Sequence, residues 1–541
     1  MKIINVVFNK PRFLPYHYEC LKKYLKVNDT LEYYVFDNSI DDTITNTFRG
    51  LSVYLNINYI RVPQSIHTAQ NPSMRAGKSL DYALQYIYNT LRYRDVVMVC
   101  DSDMFLTDYY DPLVDLGDND IVGRSPNNAY AFRQPEIVDK IREKPYYTNQ
   151  LIITNFNTID ANKLSFLPGV VDGLHLDCGG KLSVFFRENP KIRHSAILDN
   201  CSITPETIDA VPAHLRDFFK NDITEKGAAF AELISGVFVH MRHGSNWNNF
   251  DTDIVFTRER NVFKLLCGRL VEWNIPTNDP TNKHVISFSL YGNNPKYTHN
   301  AIINAMTAEV VYPGWICRFH HDKTVPENIL RILQTFKNVE LVERTAVREN
   351  NSRMLWRFYD ASDPTVAVMV SRDCDSWLSL REALSVKKWL LSDKGVHIVR
   401  DHCYHSQKIM GGMFGIKRGA FPTMNQLCDA YTASSDYDQG FLASTVYPNI
   451  LNTVMVHMGV QYNIRHEFLP NSYFPDGAIP IEPYPKIIEY IPEFDIELSN
   501  AENAFHCIHC GRAHHFFIGE MFNALNRNIQ IRLSKLYPSI I

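Results

Sequence analysis

Five Asp-x-Asp pairs occur in the 541 residues, and two of them directly follow apolar runs. Asp101 and Asp103 come after Val96–Cys100, and Asp373 and Asp375 come after Val366–Val370. Two carboxylates one residue apart at a strand end suit a hard divalent cation, which takes oxygen ligands and keeps water or substrate phosphates in its other positions. A cation held there neutralises a diphosphate leaving group. The other three pairs, at Asp118/Asp120, Asp251/Asp253 and Asp436/Asp438, stand in polar surroundings and read as solvated loop acids. Asp177 precedes Gly179 and Gly180, so a carboxylate lies beside backbone able to approach another group closely. The bland alternative is a turn-forming Asp.

The runs that must position these acids alternate strand and helix. Lys2–Phe8, Leu31–Phe36, Tyr59–Val62 and Asp95–Cys100 read as strands, with helices over Leu14–Lys26 and Gly77–Arg92. Asn274–Lys283 is polar, carries two prolines and reads as a linker. After it the alternation restarts. Strands are predicted over His284–Leu290, Trp315–Phe319, Val339–Val342 and Val366–Val370, and helices over Thr298–Val311, Glu327–Phe336 and Met354–Asp360. Each half opens on a strand and reaches an apolar strand that ends in an acid pair. This pattern predicts an α/β class with a mostly parallel, Rossmann-like sheet in each half. Strand C-termini line the ligand crevice of such a sheet, and both acid pairs fall there.

Composition narrows the function. At 45% hydrophobic and 12% aromatic residues the chain can bury large cores, which excludes wholesale disorder. Lys and Arg number 55 against 59 Asp and Glu, so no global basic field favours nucleic acid as a partner. No run approaches the ~20 apolar residues of a membrane span. The opening apolar run is cut short by Asn9, Lys10 and Pro11, too early for a secretory signal, so a cytoplasmic protein is expected. Eleven scattered cysteines fit reduced thiols, and the cluster around Cys507 and Cys510 lacks the second pair that a structural zinc needs.

The blocks VVFNKPRF, LEYYVFDNSIDDT, MRAGKSLDYALQY and VVMVCDSDMF, in this order, resemble the nucleotide-sugar glycosyltransferases of the GT-A fold, particularly glycosyltransferase family 2. The resemblance covers residues 1 to about 105. It implies that Asp37 and Asn38 contact the nucleotide, that Lys78 belongs to the donor site, and that Asp101 and Asp103 hold Mn²⁺ or Mg²⁺. It also implies an acceptor-side general base, for which Asp177 is the candidate. The segment VFVHMRHGSNW resembles the one that closes the metal site in glycosyltransferase family 8, with His240 or His243 as the third ligand.

The second half, through SLYGNNPKYTHNAI, MLWRFYDAS, SRDCDSWLSLRE and the run from Asp438 to Leu442, resembles GT-A-like domains of bacterial and large-virus proteins. By that analogy Asp373, Asp375 and His457 are metal ligands and Arg372 faces phosphate. Arg381, Glu382, Arg400, Asp401, His402 and His405 are candidates to line substrate sites, with buried Arg–carboxylate pairing as the alternative for the Arg–acid dipeptides.

The expectation is therefore two tandem GT-A-like domains, 1–275 and 284–480, with a C-terminal extension, 481–541. Each transfers a sugar from a UDP- or GDP-linked donor to a glycan hydroxyl. One catalytic domain beside a degenerate nucleotide- or glycan-binding domain is the alternative. A sugar nucleotidyltransferase needs a glycine-rich loop after the first strand, where this chain has Asn-Lys-Pro-Arg-Phe. Without an anchor the chain suits a bacterial enzyme, or a viral one working in host cytoplasm.

Overall fold

The structure, a computed structural model, describes residues 1–27, 31–67, 71–125, 146–197, 199–200, 203–242, 252–273, 279–345, 351–400, 407–432 and 437–458, with short pieces between 481 and 538. The final helix expected over Phe516–Leu536 lies almost wholly outside them. The chain separates into two compact units, Met1–Leu266 and a second beginning at Cys267. No helix of the described residues is long and apolar enough to cross a membrane.

The first unit is built on β1 (Lys2–Val7), β2 (Glu32–Asp37), β3 (Asn58–Arg61) and β4 (Val96–Cys100), followed by β5 (Met104–Leu106), β6 (Ile121–Arg124) and β7 (Leu151–Asn155). Then come β8 (Gly169–Val171), β9 (Leu174–Leu176), β10 (His194–Ile197), β11 (Asp199–Asn200), β12 (Glu232–Ile234) and β13 (Phe238–His240). The main sheet runs β3-β2-β1-β4-β7-β6-β10. It is parallel except for β7, which runs against both neighbours. A second, antiparallel sheet runs β11-β12-β13-β5.

All five residues of β4 are buried, as its uninterrupted apolar sequence requires of a central parallel strand. Its neighbour β1 carries the buried Asn5, whose Nδ2 donates to the Cys100 carbonyl at 3.1 Å and fixes the strand end where the acid pair begins. Helices connect these strands. α1 (Phe13–Tyr24) follows β1, and α2 (Asp42–Leu55), which the apolar periodicity does not single out, starts where the Asp41 side chain accepts the Thr43 and Ile44 amides. α3 (Pro72–Gln85) starts five residues before the expected Gly77, because Asn71 accepts the Met74 amide and Pro72 opens the first turn.

The second unit repeats the plan. Its strands are β14 (Lys283–Leu290), β15 (Ile316–His321), β16 (Val339–Glu343), β17 (Val366–Arg372), β18 (Val396–Arg400), β19 (Phe414–Lys417), β20 (Val454–Met458) and β21 (Ile481–Pro483). They form one sheet in the order β16-β15-β14-β17-β19-β18-β20-β21, with β19 antiparallel to both neighbours. Counted along the chain, the main-sheet strands of both units run 3-2-1-4-6-5-7, with the sixth reversed; β21 adds an eighth at the edge of the second. The chain is thus α/β with two large, mostly parallel sheets. In each, strand order turns between the first and fourth strands, the switch point at which ligands bind in open α/β sheets. Both acid pairs stand at that point.

Candidate functional site

In the first unit the chain leaves β4 at Asp101, passes Asp103 and enters β5 at once. β5 pairs antiparallel with β13, with Met104 opposite His240, and the Met241 amide donates to the Asp103 carbonyl at 2.9 Å. One strand pair therefore carries a residue from late in the unit to the acid pair. Asp101, Asp103 and His240 each offer a ligand atom, and these atoms lie within 4.8 Å of one another; among the described residues no other such group occurs. His240 Nε2 stands 3.4 Å from Asp103 Oδ1. Of the two histidines left open by the sequence, His240 joins the acids, while His243 lies outside the described residues.

The far side of the imidazole is held as firmly. Glu232 on β12 lies directly opposite His240 in the register, and its Oε2 is 2.7 Å from His240 Nδ1. Its Oε1 is held by Arg124 Nη2 and Arg242 Nε, both at 3.0 Å. Glu232, Arg124 and His240 are all buried. Burial would raise the Glu232 carboxyl, but His240 and the two guanidiniums keep it well below the usual carboxylate range. Burial would likewise lower the imidazole, yet Asp103 and Glu232 together push His240 up to about 10.

With Glu232 accepting from Nδ1–H, Nε2 is the nitrogen that faces the acids and the one that would give up its proton to a bound cation, which is how ligand histidines are commonly oriented. Asp101 accepts from Asn149 Nδ2 at 3.0 Å and from the Ser102 amide at 2.8 Å. Burial, and then the negative charge of Asp103, push its pKa up. Two carboxylates this close are relieved by a cation between them. Two carboxylates and one imidazole make a donor set that suits Mn²⁺ or Mg²⁺.

The other candidates fall as follows. Asp37 is buried at the end of β2, and its carboxylate accepts from the Ser39 amide, the Tyr59 hydroxyl and Arg61, so it ties the Asp37–Ser39 turn to β3. Asn38 beside it is buried too. Lys78 is exposed on α3, with Gly77 buried next to it. Asp177 is exposed after β9 and accepts its neighbour's amide. That neighbour, Cys178, is buried, and burial together with the charges of Asp177, Asp81 and Asp101 pushes its thiol up. The glycine pair serves internal packing. Gly179 adopts φ +90°, and a Cβ there would run into the Tyr147 carbonyl.

In the second unit the expected triad does not assemble. Three inter-strand steps separate β17 from β20, roughly 14 Å, so His457 on β20 is not delivered to the acids that follow β17. It is buried instead with its Nδ1 2.7 Å from His397 Nε2. In the first unit the small antiparallel sheet supplies the histidine, and β20 belongs to the main sheet. Arg372 is buried rather than facing an open crevice: it donates to Ser376 Oγ and to the carbonyls of Gly412 and Trp377, with Glu382 3.5 Å away. Arg400 is buried and donates to the Lys408 carbonyl, and Arg381 is buried as well. Asp401, His402 and His405 lie outside the described residues.

Sequence reasoning singled out none of Glu232, Arg124, Arg242 or Asn149. Their signal is the strand register, which pairs Glu232 with His240 and is not written in either segment alone.

No protein-family model matches the chain, and no curated protein matches it. Among solved structures it is similar to galactosyltransferase LgtC in complex with donor and acceptor sugar analogues, at 17% identity and TM-score 0.22, over 30% of this chain and 62% of LgtC, less than two thirds of that protein's length. It is also similar to the glycosyltransferase GlyE of Streptococcus pneumoniae, at 14% identity and TM-score 0.25, over 66% of this chain and 83% of GlyE. The strand order and register above fix the fold.

Proposed function

We propose that the first unit is a metal-dependent glycosyltransferase. Asp101, Asp103 and His240 would hold Mn²⁺ or Mg²⁺, which when bound supplies the positive charge that a departing nucleoside diphosphate needs. The observation that carries this reading is the Glu232–His240–Asp103 chain at the switch point of an open α/β sheet, a buried and pre-oriented ligand set. The donor would be a UDP- or GDP-linked sugar lying over the C-terminal ends of β1, β2 and β4. Asn38 and the turn that Asp37 braces would lie on its nucleotide side, and Lys78 near its phosphates.

The acceptor is a glycan hydroxyl. In an inverting transfer Asp177 would take its proton as the C–O bond to the sugar forms and the bond to the diphosphate breaks. The exposure of Asp177 after β9 supports that role. Calorimetric titration of the full chain with UDP and GDP, with and without Mn²⁺, tests the reading. Nucleotide binding that requires the ion supports it, and ion-independent or absent binding contradicts it.

A further inference from the structure

The second unit has the same strand order and the same acid pair after its fourth strand, yet its acids meet a different charge. Asp375, with its side chain 6% exposed, is ion-paired with Lys296 Nζ at 2.9 Å. Lys296 is fixed in the first turn of α4 (Pro295–Val311), where Asn294 accepts its amide. Asp373 is ion-paired with Arg357 Nη1, and Arg357 Nη2 holds Asp438 at 2.8 Å. Arg357, 5% exposed, also donates to the Arg372 carbonyl at 3.2 Å, so three partners pin one guanidinium. The backbone of Gly411 and Gly412 packs against this cluster from one side, while the Asp373 side chain stays 45% exposed. A Cβ on Gly412 would run into the Asp373 carboxylate, and one on Gly411 into Asp438 and Arg357. Although burial opposes it, Arg357 keeps Asp373 below the ordinary carboxylate range.

We infer that the acid pair of the second unit takes no divalent cation, that Arg357 and Lys296 fill that electrostatic role, and that among the described residues a single metal ion is bound, at Asp101, Asp103 and His240. An ion entering between Asp373 and Asp375 must displace the Lys296 ammonium from Asp375 and the Arg357 guanidinium from Asp373, leaving that buried guanidinium with Asp438 as its one carboxylate among these three. Among the described residues no group of three ligand atoms forms here: Asp438 is held by Arg357, and His457 is committed to His397. Metal-assisted departure of a diphosphate is then confined to the first unit. The exclusion rests on the second unit's own ion pairs; only the count of one rests on the proposed centre of the first.

Mn²⁺ alone is titrated into the full chain and the free ion is followed by electron paramagnetic resonance. One ion per chain is expected, unchanged in Asp375→Asn and lost in His240→Asn, which keeps both first-unit acids. The count in the unsubstituted chain stands whether or not a variant folds. Two ions, or loss of one in Asp375→Asn, would overturn the inference. None would overturn the count and the first-unit centre together. A chain that binds one ion but turns over no nucleotide sugar contradicts the transfer reading and leaves this inference intact.

Discussion

Glu232 faces His240 across the β12–β13 pair, its Oε2 2.7 Å from His240 Nδ1 while Nε2 stands 3.4 Å from Asp103. The imidazole is thus gripped by acids on both ring nitrogens, one that orients it and one that shares the site. Glu232 is in turn neutralised by Arg124 and Arg242. This arrangement makes Glu232 the positioning residue of the centre.

Replacing Glu232 with Gln keeps an acceptor for Nδ1–H but removes the charge. Mn²⁺ affinity should fall about 10–100-fold. Buried Arg124 also loses its counter-charge, so a stability loss of about 3 kcal/mol should accompany the weaker binding. Titration and thermal unfolding on the same sample check both. Unchanged affinity in a folded variant would reduce Glu232 to a purely structural role.

Asp177→Asn tests the acceptor side. If Asp177 accepts the hydroxyl proton, kcat should fall by about 10²–10⁴-fold while Mn²⁺ affinity holds. A variant with unaltered kcat rules this assignment out.

The His397–His457 pair makes the second unit sensitive to acid. Burial lowers His457 to about 3 and holds His397 well below its ordinary value. Below pH 6.5 the unfolded chain therefore binds protons that the folded unit refuses. The pair's contribution is whole above pH 6.5 and is lost as pH falls from there toward the folded values. Each such histidine costs up to about 1.4 kcal/mol per pH unit in that window. Thermal unfolding at pH 7 and pH 5 should show a drop that shrinks in the double variant His397→Gln, His457→Asn. An equal drop in both proteins would show that other groups set the acid limit.

Gly179→Ala should destabilise the first unit by about 2 kcal/mol or more, since it adds both a positive-φ penalty and a collision with the Tyr147 carbonyl. Denaturant unfolding measures it. A near-neutral result would mean that the β9 turn moves freely.

Much of this molecule is legible along the chain. The apolar runs give β1, β2, β4, β14, β15 and β17 to within a residue or two, because parallel strands buried on both faces leave continuous hydrophobic sequence. The acid pairs are legible for the same reason: Asp101 is the first residue after such a run, and Asp373 follows its run by way of Ser371 and Arg372. What escapes is whatever depends on register or on side-chain partners. Glu232 gains its role from the residue opposite it, and α2 announces itself only through the Asp41 cap. The two halves look alike in sequence pattern and share a strand order, but the ion pairs of Asp373 and Asp375 come from Arg357 and Lys296, each on a different segment. His240 and His457 both end short apolar runs, and the sheet each joins decides which one meets an acid pair.

The most direct measurement offers the full chain a panel of UDP- and GDP-linked sugars with a mixed glycan acceptor and scores release of nucleoside diphosphate, with and without Mn²⁺. The same panel is run on Asp103→Asn. Release by the unsubstituted chain that needs Mn²⁺, and that falls to background in Asp103→Asn, is the predicted result. Release that persists without the ion, or at full rate in Asp103→Asn, would contradict a metal-dependent transferase centred on Asp101, Asp103 and His240.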